Sequence, residues 1–221
     1  LIRIPDNDAP LLTYFRNNVL HLFALPALIA CLISQNRRLH RQRMAEALES
    51  IYGLMQPELF LRWAKESLAP NVDRVLGVLV ARGLVCIEDS NFLCAPGVHS
   101  RESAELRMLG ETLRPSLERH FLTLSLLEQS GSGLKTRQQL ENDAHLLAQR
   151  LALLYRTDSP EYSEKSVFSA LIGRLIDADL LQEDKTGLLH FGETLTTPLA
   201  HTELVLPAET QQAIRRIASI T

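Results

Sequence analysis

Cysteine is scarce in this sequence, and its three cysteines form no recognisable metal-binding or disulfide pattern. Cys31, Cys86 and Cys94 make no CxxC pair, and no Cys/His cluster occurs at the spacing of metal ligands. We therefore expect no disulfide framework, no zinc site and no other cofactor. If residues 89–91 form a three-residue hairpin loop, Cys86 and Cys94 face each other across two strands. We predict that both are buried and act as small apolar residues.

An excess of positive charge is also missing. The 23 basic residues are outnumbered by 26 acidic ones, the formal net charge is -3, and the sequence pI is about 6.2. Nucleic-acid binding usually needs a positive field, so we expect no nucleic-acid partner. A dense basic segment does occur at residues 36–43, and its arginines are Arg37, Arg38, Arg41 and Arg43. This segment is either a solvated loop and helix start or a surface that faces anionic lipid or acidic protein.

Motifs of common enzyme sites are absent as well. The chain has neither a GxSxG nucleophile elbow nor a GxxxxGK[ST] phosphate loop. Its paired carboxylates, Glu88 with Asp89 and Glu183 with Asp184, fall at predicted hairpin turns. Acidic residues are favoured there for their turn chemistry and solvation. We therefore interpret both pairs as turn residues rather than as general acids or bases.

The longest apolar run is too short for a simple membrane-spanning helix. Residues 19–33 are fifteen mostly apolar positions, interrupted by His21 and Pro26, whereas a helix needs roughly twenty to cross a bilayer. The run is either a buried core helix or an interfacial helix on a membrane surface, which nearby arginines would favour. No signal peptide is predicted before it. Because the chain opens on Leu1, we expect it to be a segment of a longer polypeptide.

Hydrophobic periodicity predicts a mainly α-helical protein with two small β-hairpins. Helical spacing of apolar residues is found in residues 11–33, 40–55, 57–63, 71–83, 104–128, 135–155 and 163–181. We expect Pro26 to kink the first helix and Pro57 to open a short third helix. The hairpins are predicted near residues 84–95 and 180–192.

A shift of 96 residues aligns two helix-plus-hairpin units without gaps. The matched positions include Leu76 with Ile172 and Leu84 with Leu180. This self-similarity predicts two related winged-helix-like halves, residues 1–98 and residues 99–221. Within the first half, we expect Trp63 to pack against apolar neighbours and to anchor the core.

Three further segments carry a family resemblance. They are "LLTYFRNNVLHLFALPALIA" at residues 11–30, "ELFLRW" at residues 58–63 and "LAQRLALLYRTDSPEYSEKSVFSALI" at residues 147–172. In this order they resemble the region that follows the catalytic domain in the bacterial membrane-bound glycerol-3-phosphate acyltransferases, the PlsB family. The resemblance covers nearly the whole chain. It implies a parent enzyme that is bound peripherally to the cytoplasmic face of the bacterial inner membrane.

The resemblance also implies a reaction. The family transfers a fatty acyl group from acyl-CoA or acyl carrier protein to sn-glycerol 3-phosphate in phospholipid biosynthesis. Its HxxxxD motif supplies a histidine general base and an aspartate that orients it. None of the seven histidines of this sequence has an aspartate five residues later, and the family's later phosphate-binding motifs are missing. The chain is therefore expected to be the C-terminal region alone, with no catalytic residue of its own.

A polar cluster early in the first helix suggests how the chain contacts the missing domain. Its residues are Tyr14, Phe15, Arg16, Asn17 and Asn18. Adjacent hydrogen-bonding side chains need partners when they are buried. We therefore predict that this cluster docks on the parent's N-terminal catalytic domain, where Tyr14 and Phe15 pack and Arg16, Asn17 and Asn18 form hydrogen bonds. Simple solvation at the helix end is the alternative. Two other roles stay open for the chain: a lipid-surface docking module and a tandem winged-helix module that binds protein.

Overall fold

The fold is dominated by helices, as the periodicity predicts. The computed structural model describes residues 9–89, 91–155 and 160–219. The α-helices are α1 (Ala9–Asn36), α2 (Arg41–Leu59), α3 (Lys65–Ala81), α4 (Arg101–Glu111), α5 (Arg114–Ser130), α6 (Arg137–Tyr155), α7 (Lys165–Asp177), α8 (Thr196–Glu203) and α9 (Ala208–Ala218). The strands are β1 (Arg38–His40), β2 (Cys86–Glu88), β3 (Phe92–Cys94), β4 (Gln182–Glu183) and β5 (Leu189–His190). The predicted fold class, mainly α with two small hairpins, is confirmed.

The second half of α1 is a core helix. Residues 24–33 are buried except for Pro26, which is half-buried, and α4, α2 and α3 pack around the helix. A helix that is apolar on all sides is typical of such a central position. The helix continues through Pro26 to Asn36 and is longer at both ends than predicted. The buried-core interpretation therefore describes this half of α1.

Two helix starts differ from the prediction because proline is tolerated inside these helices. Pro57 does not open a third helix: α2 continues past it to Leu59 and ends at Phe60, which has a φ of 50°. Glu58 in this last turn is held by a hydrogen bond from Arg119, which favours continuation of the helix. Likewise, α3 begins before Pro70, at Lys65.

Trp63 lies in the extended connection between α2 and α3. It is only partly buried, and it packs against the hydrophobic core. Its backbone is held by two side chains of α2: the N–H donates to the Tyr52 hydroxyl at 3.2 Å, and the carbonyl accepts from Gln56 Nε2 at 3.1 Å. The predicted apolar packing is therefore confirmed, in a connecting segment rather than on a helix.

The first hairpin belongs to a three-stranded antiparallel sheet with the order β1-β3-β2. Cys86 lies opposite Cys94, as predicted from the loop length. Cys94 is buried, but Cys86 is exposed, so the prediction that both are buried is wrong for Cys86. The reason is that β2 is an edge strand of this sheet and the core covers none of its three residues. Strand β1 has no counterpart among the predicted elements.

The shift of 96 residues that aligns the two sequence units also aligns their strand pairs. The corresponding pairs are His40↔Phe92 with Thr136↔Leu188, Cys86↔Cys94 with Gln182↔His190, and Ile87↔Leu93 with Glu183↔Leu189. The bounds of α2 and α6 differ by the same 96 residues. Agreement in strand register is more demanding than agreement in helical spacing, because a one-residue slip turns every side chain to the other face. It therefore supports the predicted duplication. The boundary between residues 98 and 99 stays a prediction, and one continuous core cluster includes side chains on both sides of it.

Candidate docking face, basic segment and buried polar cluster

The predicted docking residues lie in the first half of α1. The backbone of Tyr14, Phe15, Arg16 and Asn17 is helical, but their side chains lie outside the described part of the structure. Asn18 is described, and it is exposed at the edge of a cavity. The docking role of these residues stays a prediction.

An exposed apolar stripe follows Asn18 on the same helix. Val19, Leu22 and Phe23 are 43%, 54% and 47% exposed. Their spacing of three and four residues places them on one face of α1. This stripe, which we call the α1 face, directly precedes the buried half of the helix. Sequence reasoning treated residues 19–33 as one run and did not separate these two parts.

The basic segment is largely used to connect β1 to its surroundings. Arg37, with a φ of 60°, donates from Nη2 to the Pro96 carbonyl at 2.6 Å. Arg38 Nε bonds to Glu88 Oε2 at 3.1 Å, and the Arg38 guanidinium lies 3.5 Å from the centroid of the Phe92 ring. These contacts show how a basic sequence can be part of a sheet edge.

The other two arginines of the segment lie on the first turn of α2. Arg41 Nη2 bonds to Asp73 Oδ1 of α3 at 2.7 Å. Arg43 is exposed and makes no ion pair within the described residues. It lines a shallow cavity with His201, whose pKa is lowered, chiefly by burial. Contact of this segment with lipid or acidic protein stays a prediction.

Asp184, of the second carboxylate pair, has the predicted turn role, whereas Glu183 lies in β4. Asp184 Oδ1 accepts hydrogen bonds from the Thr186 hydroxyl at 2.6 Å and the Leu188 N–H at 3.0 Å. Its other oxygen lies 2.9 Å from His190 Nε2. These bonds, led by the Thr186 hydroxyl and His190, hold the pKa of Asp184 well below its usual range. The His190 ring packs over Gly133, where a Cβ would come within 2.8 Å of it, so this His–Asp contact braces the hairpin.

A buried polar cluster joins α2 to α5, and sequence reasoning missed it. Arg119, only 6% exposed, donates from Nη2 to Glu58 Oε1 at 2.8 Å and to Ser116 Oγ at 3.0 Å. His120 Nδ1 lies 2.9 Å from the Ser116 carbonyl oxygen, and its Nε2 lies 3.5 Å from Glu58 Oε2. Three buried polar atoms here have no hydrogen-bond partner among the described residues: Glu58 Oε2, Arg119 Nε and His120 Nε2. Such atoms are uncommon in native structures and call for an explanation.

A signal for this cluster is present in the sequence of α5. Residues 121–127 of this helix are all buried, with Thr123 and Ser125 as the polar members, and the adjacent Arg119 and His120 also fall on buried positions. Buried charges need partners. The partner Glu58 is 61 residues away, so no local pattern could identify it.

The described residues contain no group of three or more His, Cys, Asp or Glu side chains that could hold a metal ion. The buried thiol of Cys31 is also unsuited to chemistry, because burial raises its pKa to about 12. Its Sγ donates to the Gly110 carbonyl at 3.4 Å, where α1 and α4 pack closely. The cysteine therefore serves helix packing.

Comparisons with known proteins identify the family of this helical chain. The family model described as "Glycerol-3-phosphate acyltransferase C-terminal region" matches residues 1–184. The chain belongs to this family. No solved structure matches it.

Curated relatives agree with the family match. The chain is 37% identical over 220 residues to a glycerol-3-phosphate acyltransferase of Pseudomonas paraeruginosa. It is 36% identical to the proteins of the same name from Pseudomonas aeruginosa strain UCBPP-PA14 and Pseudomonas fluorescens strain SBW25. In each case the match covers 99% of this chain and 26% of the relative. The chain thus spans about a quarter of the length of these relatives.

Proposed function

We propose that this chain is the C-terminal, non-catalytic region of a glycerol-3-phosphate 1-O-acyltransferase. The parent enzyme transfers a fatty acyl group from acyl-CoA or acyl carrier protein to sn-glycerol 3-phosphate, at the cytoplasmic face of the bacterial inner membrane. The observation that carries this proposal is the match of 99% of the chain to 26% of enzymes with that name. Substrates and membrane contact belong to the whole enzyme.

The chain itself is proposed to do no chemistry. None of its histidines has an aspartate at the spacing that the family's catalytic motif requires. The described His–Asp contact, His190 with Asp184, lies in an exposed hairpin, and the Asp184 side chain is already engaged by turn hydrogen bonds. A general base must reach the proton of a bound substrate, and neither residue lines a described cavity.

Its role is to support the catalytic region by docking on it through the first half of α1. The proposed surface combines the predicted residues Tyr14 to Asn18 with the α1 face. Three apolar side chains exposed side by side favour a partner, because each gains stability when it leaves water. The proposed partner is the rest of the parent enzyme, since this chain matches only 26% of the length of its relatives.

Variants of the full-length parent test this docking. Leu22→Asp should strongly lower acyl transfer or the yield of membrane-bound enzyme, because it places a charge in the interface. Val78→Asp is a matched control, since Val78 is 55% exposed on α3 and lies outside the proposed surface. Arg16→Ala should lower activity in the parent while leaving the thermal midpoint of this chain almost unchanged. Equal effects of Leu22→Asp and Val78→Asp would contradict the docking proposal.

Lipid-surface docking remains a second candidate because of one observation. Within the described residues, Asn18–Asn36 is long and apolar enough to cross a membrane by length and composition, yet 56% of that window is buried inside the fold. The α1 face is the part that could contact lipid. Flotation with anionic liposomes at low and high salt tests this: an electrostatic contact weakens with salt, and a purely intramolecular docking face shows no flotation at either salt concentration.

A tandem winged-helix module that binds protein is the third candidate, and the repeated strand register favours it. Such a module would use the exposed surfaces of α3 and α7, and no nucleic-acid partner is proposed. In α3, Lys65 and Arg74 are balanced by Glu66 and Asp73, so the helix provides little net charge for phosphate contacts. A pull-down with the isolated upstream region would distinguish this candidate, because a module for another protein would not retain that region.

A further inference from the structure

A cavity of about 580 Å³ opens beside the buried polar cluster, between the first half of α1, the end of α2, α5 and α7. Polar side chains form part of its lining, and Ser116 and Arg119 are buried there. Apolar walls are provided by Leu20, Leu59, Pro115, Val167 and Ala170. Phe60, which is 84% exposed, stands at the rim. The cavity therefore joins a polar, cationic region to an apolar passage.

The charge of this lining is positive. Two guanidinium groups, Arg119 and Arg174, face one carboxylate, Glu58. Glu58 Oε1 is already bonded to Arg119 Nη2 at 2.8 Å. Arg174 is exposed, and within the described part of the chain its ion pair is a long 3.5 Å contact with Asp177, which does not line the cavity. Among the described residues, one positive charge of the lining thus has no close partner.

His120 strengthens this conclusion from behind the cavity. Its Nδ1 must carry a hydrogen, because it bonds to the Ser116 carbonyl oxygen. Its Nε2 and Glu58 Oε2, 3.5 Å apart, have no hydrogen-bond partner among the described residues. Glu58 Oε2 therefore faces His120, behind the cavity, rather than a ligand.

The first turn of α5 adds to the positive potential. Pro115 and Ser116 line the cavity, and the N-cap residue Leu113 makes no side-chain capping bond. The partial positive charge of a helix N-terminus favours anions. The first turn of α7 also lines the cavity, but there the Glu164 carboxylate accepts a bond from Ser166 Oγ at 2.9 Å. A carboxylate thus lies at the N-cap of α7, whereas the N-cap of α5 is the apolar Leu113.

We propose that this cavity binds an alkyl phosphate, with the phosphate at Arg119, Arg174 and Ser116 and the alkyl chain against the apolar walls. Two guanidinium groups and a hydroxyl offer more donors than a carboxylate can use, and they match the several oxygens of a phosphate. The apolar walls account for the binding of the alkyl chain. The same phosphate chemistry could come from free inorganic phosphate, and the test separates the two sources. This proposal is independent of the parent enzyme's activity.

Calorimetric titration of this chain tests the site with three probes: decyl phosphate below its micellar concentration, inorganic phosphate, and decyltrimethylammonium. We expect saturable one-site binding of decyl phosphate, at least tenfold weaker binding of inorganic phosphate, and no binding of the cation. Inorganic phosphate binding as tightly as decyl phosphate would overturn the apolar part of the site. Equal binding of the cationic probe, or no binding of decyl phosphate, would overturn the proposal.

Variants that keep the fold assign the binding to this cavity. Arg174→Gln should weaken decyl phosphate about tenfold, the scale of one lost charge-assisted hydrogen bond. Ala170→Asp, at an exposed position of α7, should abolish binding by placing a carboxylate in the cavity. Arg101→Gln is the matched control. Like Arg174, Arg101 is exposed and is paired with an acidic residue of its own helix, Glu105, but it lies on α4 outside the cavity. Unchanged affinity for decyl phosphate in Arg174→Gln and Ala170→Asp would overturn the assignment, provided that both variants have the same thermal midpoint as the unsubstituted chain.

Discussion

The two units that the shift of 96 residues aligns keep the same strand register but hold their hairpins with different side chains. In the first unit, β1 is a full strand and its Arg38 bonds to Glu88 across the sheet. In the second, a single bridge at Thr136 replaces β1. The carboxylate at the position equivalent to Glu88 is Asp184, and it bonds to His190 of its own hairpin. The strand register therefore does not depend on a particular ion pair. Backbone pairing, together with the burial of one face of each hairpin, is sufficient to define it.

The largest expected effect concerns the core positions that the repeat aligns. Phe168 of α7 is 0% exposed and its counterpart Val72 of α3 is 7% exposed. Phe168→Ala should lower the free energy of unfolding by about 3–5 kcal/mol. Val72→Ala removes fewer buried atoms, and it should cost roughly 1–3 kcal/mol. Urea unfolding of both variants measures the difference, and a larger loss for Val72→Ala would show that the two helices are not equivalent in the core.

A smaller effect is expected in the connection between α2 and α3. Trp63→Ala should lower the free energy of unfolding by roughly 1–3 kcal/mol, less than for a fully buried aromatic, because Trp63 is partly buried. The corresponding connection of the second unit, residues 156–159, lies outside the described residues. Tyr52→Phe is a useful companion variant, since it removes the hydroxyl that accepts from the Trp63 N–H. A loss near zero for Trp63→Ala would mean that the ring contributes no packing.

Sequence reasoning captured the parts of the fold that depend on local pattern. The apolar stripes of α3 and α7 and the two hairpin turns follow from spacing and turn residues. Strand β1 could not be predicted in this way, because a three-residue strand inside a basic segment has almost no alternation and forms only when β3 is beside it. The helices α8 and α9 also have no counterpart among the predicted ones, although the apolar and polar residues of α9 fall on opposite faces.

The candidate site was predicted less completely than the fold. Residues 14–18 were predicted from adjacent hydrogen-bonding side chains in the sequence. The α1 face, in contrast, required knowledge of which side of the helix the core covers. The cavity beside Arg119 depends on contacts between residues that are 61 positions apart in the chain. Such a contact has no local sequence signal.

A pair of equivalent glycines gives a finer test of the repeat. Gly77 in α3 and Gly173 in α7 are 96 residues apart, and a Cβ at Gly77 would meet no atom within 4 Å. Gly77→Ala should therefore stabilise the chain by about 0.5–1 kcal/mol through helix propensity. At Gly173, a Cβ would lie 3.4 Å from Arg137 Nη2, which bonds to the Ser169 carbonyl at 3.1 Å. Gly173→Ala should gain less, and thermal unfolding that shows equal gains would contradict this difference.

The smallest effect is an acid dependence of the two hairpin carboxylates. The pKa of Asp184 is lowered in the folded chain by the Thr186 hydroxyl, His190 and turn N–H groups, and that of Glu88 is lowered chiefly by Arg38. Each carboxylate therefore adds stability above its unfolded pKa, and this stability is lost as pH falls through the folded pKa. The shift is larger for Asp184, so Asp184→Asn should reduce the acid sensitivity of unfolding more than Glu88→Gln does. Thermal midpoints measured from pH 6 to pH 2 would show the opposite order if the Arg38 pair were the stronger.

The central claim is that this chain supports catalysis by another region and performs none itself. Transfer of a palmitoyl group from palmitoyl-CoA to glycerol 3-phosphate tests it, with this chain and the upstream region of its parent purified separately and then mixed. We expect no product from this chain alone, little from the upstream region alone, and restored transfer from the mixture. The mixture should lose activity when this chain carries Leu22→Asp. Measurable transfer by this chain alone would contradict the account.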